Sequence, residues 1–130
     1  MQTSNKEVRV RILALLAVGA LVVANIISTQ RQPPVRSGEI SAFSRQFGGY
    51  IAKGNQSFAT CIRAAADRQR NLYFQQVLFD VQKRVSMGES LSGAMARHKD
   101  VFNGQYLRAV RHGERTGTLD IAMQDLGRER

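Results

Sequence analysis

From Ile12 to Gln30 the chain runs nineteen residues without a charge, and beyond Pro34 apolar residues recur at steps of three and four. The first pattern has no polar face anywhere in Ile12–Val23, and Lys6, Arg9 and Arg11 precede it. About twenty apolar residues at 1.5 Å rise cross a hydrocarbon core of about 30 Å. Residues 1–11 are therefore expected to be a basic tail and residues 12–30 a transmembrane helix. A secretory signal cleaved near Ala24 is the competing reading. Ile26 and Ile27 carry the apolar run past that point, which favours the anchor. Arg31, Arg36 and Arg45 balance the cations on the amino-terminal side, so charge leaves the orientation open.

Residues 31–36 read as a linker, because Pro33 and Pro34 lack amide donors and bias their predecessors away from helix. The second pattern, over residues 37–130, predicts six helices. Ser37 is expected to cap the first, with Ile40, Phe43, Phe47, Tyr50 and Ile51 on one face and Gly54 at its left-handed end. A shorter helix follows Ser57, turning Phe58, Cys61, Ile62 and Ala65 inward and Arg63, Asp67 and Arg68 outward. The longest runs from Asn71 to Met87 on a stripe of Phe74, Val77, Leu78, Val81 and Val85, and stops at Gly88. Ser90 caps Leu91–Lys99, with His98 as a helix-end or surface residue. Phe102 lies in the turn before Asn103–His112, and Thr118 caps a last helix carrying Leu119, Ala122, Met123 and Leu126. No stretch alternates long enough for a strand. The expected class is all-α, an N-terminal transmembrane helix followed by a six-helix bundle.

Composition narrows the function more than the fold. Nineteen Lys+Arg against ten Asp+Glu give +9, which favours an acidic neighbour, whether protein, lipid or nucleic acid. One cysteine excludes an internal disulfide and paired-cysteine metal sites. Cys61 falls on an apolar face and reads as core. No Walker loop, nucleophile elbow or histidine–glutamate zinc motif occurs, so neither a catalytic residue nor a cofactor is expected. Arg108, Arg111 and Arg115 recur at helical steps and form a candidate cationic stripe for a partner. A solvated face is the plainer reading of it, and a membrane anchor argues against nucleic acid as the partner. The segment from His112 to Asp120 looks like a helix–loop–helix corner bracketed by Gly113 and Gly117. Glu114 there is expected to accept hydrogen bonds from free amides of the next helix. With Asp120 it is also the nearest thing to a cation site, though two carboxylates fall far short of six oxygens.

Several segments together resemble a known family. Phe43 and Phe47, then Ile51 and Gly54, then Gly88-Glu89-Ser90-Leu91-Ser92-Gly93-Ala94, then Val101-Phe102 and Tyr106, then Gly113-Glu114-Arg115-Thr116-Gly117-Thr118-Leu119 are similar to the type II secretion system F domain. The ordered pair of glycine motifs is the most specific part, and the similarity runs from about Ile40 onward. The resemblance implies a cytoplasmic six-helix bundle whose shape is set by Gly88, Ser90, Leu91, Phe102, Gly113, Glu114, Gly117 and Leu119. It also implies a bacterial inner-membrane platform for pilus assembly or type II secretion. Such a platform would contact a cytoplasmic assembly ATPase and other components, form homo-oligomers, and bind no nucleotide itself. Family members commonly carry two such domains and several membrane helices. One of each here leaves open a partial gene product or a minimal member that assembles with another copy. Gly48-Gly49 departs from the leucine-rich helix usual at that point and is expected either to permit close packing or to reflect relaxed selection.

Overall fold

Caps explain where most of the helices start. In the computed structural model, which describes residues 34–128, six helices follow one another. They are α1 (Ser37–Ala52), α2 (Phe58–Ala66), α3 (Leu72–Ser86), α4 (Leu91–Met95), α5 (Gly104–Thr116) and α6 (Leu119–Arg128). Four open on a side-chain oxygen that accepts an otherwise orphaned amide hydrogen. Ser57 takes it from Thr60, Asn71 from Phe74, Ser90 from Gly93 and Asn103 from Tyr106, at 3.2, 3.2, 3.1 and 2.8 Å. No strand occurs among the described residues. Nor, among them, is any helix long and apolar enough to cross a membrane. The span expected over residues 12–30 lies outside the described residues.

Three expected boundaries move. Arg36, not Ser37, holds the N-cap position of α1. Glu39 Oε2 accepts from the Arg36 amide at 2.8 Å, so the third helical residue supplies the stabilising carboxylate. The helix expected over Leu91–Lys99 ends at Met95, because the chain tightens through His98 N–H to Met95 O at 2.9 Å and then turns. The amides of Val101 and Phe102 both return to the His98 carbonyl, which drops Phe102 into the interior. The helix expected to stop at His112 continues to Thr116, and Gly113 is a buried helical residue, not part of a loop. Phe58, expected inward, is 44% exposed at the start of α2. Thr118 precedes α6, and its hydroxyl pairs with that of Thr116 at 2.6 Å.

Each helix packs on its successor and α6 returns to α1, so the packing order closes into a ring. The closing contact between α1 and α6 is the most extensive of the six. A file of aromatic rings fills the interior. Phe47 stacks on Phe43 (5.6 Å), Phe43 meets Phe74 edge-on (5.7 Å), and Phe74, Phe102 and Tyr106 follow at 6.4 and 5.2 Å. All four phenylalanines are fully buried, and such pairs add about 0.5–1.5 kcal/mol each beyond their burial. Ser44 donates to Ile40 O at 2.7 Å and its Oγ lies 2.8 Å from the Tyr106 hydroxyl, which reaches Met123 Sδ as a donor at 3.6 Å. Burial pushes the Tyr106 phenol well up, which keeps it a donor. Cys61 is buried among apolar neighbours and its thiol is likewise raised, as a core residue should be.

The ring closes through glycines. A methyl group placed on Gly48 would stand 3.0 Å from Met123 Cβ and 3.2 Å from the Asp120 carbonyl. On Gly127 it would stand 2.9 Å from Arg45 N. These positions let α1 and α6 approach closely. Gly49 has nothing within 4 Å of such a methyl, so the two adjacent glycines have different physical status. Gly49→Ala is expected to stabilise the domain by about 0.5–1 kcal/mol through helix propensity alone. A thermal midpoint a few degrees higher would show it, and a lower midpoint would mean that Gly49 has a packing role of its own.

Candidate partner interface

The two glycine motifs meet at the α4–α5 junction. Ser90 caps α4, Leu91 is 2% exposed beneath it, and Ser92 faces α5. Glu114, in the last turn of α5, accepts from the Ser92 amide at 3.0 Å and from the Ser92 hydroxyl at 2.6 Å. The carboxylate thus serves free amides at a helix start, as the sequence suggested, but the helix is α4, not the following α6. The reason is the extra turn of α5, which carries Glu114 round to the α4 side. Ser90 and Glu114 together satisfy two amides of a helix only five residues long.

Gly117 ends α5 at φ +69°, and the amides of Gly117 and Thr118 both return to the Gly113 carbonyl. That left-handed geometry favours glycine strongly. Gly113 itself lies against α6, where a methyl would stand 3.0 Å from Leu119 Cα and 3.1 Å from Ala122 Cβ. Gly88 follows α3 at φ +102°. Among the described residues no cluster of three or more acidic, cysteine or histidine side chains could hold a metal. Both oxygens of Glu114 are already engaged with Ser92.

A polar network ties α3 to the segment after α4, and the sequence did not reveal it. Asp80 Oδ2 accepts from Arg84 Nε at 2.9 Å and from His98 Nε2 at 2.6 Å. Glu89 then links Arg84 (3.5 Å) to Arg97 (3.1 Å) across the Gly88 turn. His98 is therefore a bridge to α3, not a free surface side chain. No local signal could have shown this, since the partners are eighteen residues apart. The Arg84 and His98 hydrogen bonds hold the Asp80 carboxyl below its usual range. A lowered carboxylate contributes stability above the ordinary aspartate value of about 3.9, which is lost as pH falls through the folded value. The gap in urea midpoint between the wild type and Asp80→Asn is expected to shrink as pH drops from about 5 to about 2. A gap that stays constant over that range would remove the network's electrostatic role.

The arginine stripe is where the sequence put it. Arg108, Arg111 and Arg115 are all exposed on α5. None has an ion pair or hydrogen-bond partner among the described residues. Sequence reasoning missed Lys99, which the turn after α4 brings beside Arg108 and Arg111.

The sequence model for the family described as type II secretion system (T2SS), protein F, matches residues 43–130. Similar proteins include the type IV pilus assembly protein PilC of Myxococcus xanthus, 30% identical over 92 residues, which are 71% of this chain and 22% of that protein. The protein of the same name from Thermus thermophilus is 30% identical over 111 residues, 83% of this chain and 26% of that one. The chain therefore spans about a quarter of the length of these relatives. The matched region begins at Phe43, the first buried aromatic of α1, and takes in both glycine motifs and every later helix. The chain belongs to the type II secretion system protein F family.

Proposed function

We propose that this chain is a non-enzymatic inner-membrane platform of a type IV pilus or type II secretion machine. In that role its helical domain, residues 37–130, stands on the cytoplasmic side and couples an assembly ATPase to the movement of pilin or pseudopilin. The family match over residues 43–130 is the observation that carries this reading. Three residues that chemistry could recruit are committed to the fold, in keeping with that reading. Glu114 serves the start of α4, Asp80 is shared by Arg84 and His98, and Cys61 is sealed in the core. Assembly with further copies of the chain belongs to the same proposal.

Retention of the cognate assembly ATPase by the full chain in detergent is the direct test. A correctly folded chain that retains none would count decisively against the coupling role. A carboxy-terminal reporter fusion reads the side of the membrane: fluorescence is expected, and an active periplasmic phosphatase at that position would exclude contact with a cytoplasmic ATPase. Sedimentation in detergent reports self-association.

A further inference from the structure

Between the end of α4 and the first turns of α5 the surface opens into a cleft of about 470 Å³. Buried Phe102 and Leu107 form part of its lining, beside three exposed cations, Lys99, Arg108 and Arg111. No carboxylate lines it. The start of α5 opens on the same cleft through Asn103 and Gly104, and Asn103 Oδ1 serves only the Tyr106 amide. The positive end of the helix dipole thus adds to the three side chains.

Four of the eight carboxylates among the described residues pair with cations, Asp67 with Arg63, Asp80 and Glu89 with Arg84, Glu89 with Arg97, and Asp125 with Arg128, and none of the eight lines the cleft. Lys99, Arg108 and Arg111 have no such partner among the described residues. An unneutralised cluster around a concavity raises the local concentration of anions and selects for carboxylates or phosphates.

We infer that this cleft is a docking site for an acidic peptide segment of a partner protein, its carboxylates paired with Lys99, Arg108 and Arg111. Charge and lining together select the occupant. The three cations border one open cleft with a partly apolar lining and no carboxylate, which suits a segment carrying both carboxylates and apolar side chains. A lipid headgroup or a nucleic-acid backbone supplies the anion without the apolar side chains. The inference rests on reading the chain as a platform that docks other proteins, and it specifies the chemistry of one such partner.

Fluorescence anisotropy with the full chain in neutral detergent tests it, using a labelled decapeptide of alternating glutamate and alanine as the probe. Binding is expected, weakening with added salt because exposed pairs are screened. The triple variant Lys99→Glu, Arg108→Glu, Arg111→Glu is expected to bind about tenfold more weakly or worse, since each lost pair contributes a modest share and the reversed charges repel. Arg68→Glu, Arg70→Glu, Lys83→Glu makes the same change in net charge at exposed sites elsewhere and is expected to alter binding about twofold or less. Circular dichroism confirms that both fold, and Lys99→Gln, Arg108→Gln, Arg111→Gln replaces the first variant if it does not. Equal losses in the two triples would overturn the inference, because net charge alone would then explain binding. It would equally be overturned if phosphatidylglycerol vesicles or duplex DNA bound through these residues while the peptide stayed free. A chain that retains the assembly ATPase yet ignores the peptide overturns the cleft and leaves the platform reading standing.

Discussion

Gly113→Val is expected to lower the unfolding free energy by about 2–3 kcal/mol, the upper part of the usual range for overpacking a tight contact. The new side chain would begin 3.0 Å from Leu119 Cα and 3.1 Å from Ala122 Cβ. Neither is the far end of a flexible side chain that could swing aside. Both belong to α6, so the strain can be relieved only by moving that helix off α5. Movement of α6 is expensive because the same helix closes the ring on α1 at Gly48 and Gly127. A thermal midpoint about 10–20 °C lower is expected for a domain of this size. Gly113→Ala meets the same two atoms with less bulk and regains about 1 kcal/mol of helix propensity, so its loss should be clearly smaller. If Gly113→Val stayed within about 0.5 kcal/mol of the wild type, the value typical of an unconstrained surface site, α6 would not rest on Gly113 and the ring would not close as described.

The reading of Gly113 from sequence shows where local pattern stops being informative. Glycine beside a charged pair looks like a turn, and Gly117, four residues on, is one at φ +69°. Gly113 is glycine for a different reason, the approach of a helix that follows it in the chain. Only the packing of α6 distinguishes the two. The same limit applies at Gly48-Gly49, where one residue faces Met123 and the other open space. Features set by short-range physics were legible: the apolar stripes of α1 and α3, the cap Ser90, the helix starts near Ser57 and Asn71, and the turn that holds Phe102. Arg36 for Ser37 at the first cap is a one-residue shift, within the ordinary uncertainty of helix ends. The Asp80–His98 bridge and the convergence of Lys99 on the arginine stripe depend on how the chain returns to itself. Neither has any counterpart in spacing along the sequence.

Glu114→Ala is expected to cost about 2 kcal/mol, because two hydrogen bonds to a charged acceptor are lost at once. The Ser92 amide and hydroxyl would remain on a residue only 4% exposed, where water cannot readily replace the carboxylate. A five-residue helix has little propensity of its own to fall back on, so the loss should appear as local opening of α4 as well as a lower midpoint. Faster amide hydrogen exchange over residues 91–95 would report it. Glu114→Gln keeps an acceptor for the Ser92 amide and offers an amide donor to the Ser92 hydroxyl, which can accept as well as donate. It should cost less than about 1 kcal/mol, the scale of one ordinary neutral hydrogen bond. The comparison separates a structural carboxylate from a cation ligand. A ligand role with Asp120 would make glutamine as damaging as alanine and would let added Ca²⁺ or Mg²⁺ raise the midpoint of the wild type only. The structural role predicts the graded order alanine below glutamine below wild type, with Asp120→Asn close to wild type and no response to either ion. A divalent-dependent midpoint abolished by both Glu114→Gln and Asp120→Asn would overturn the assignment of Glu114 to the start of α4.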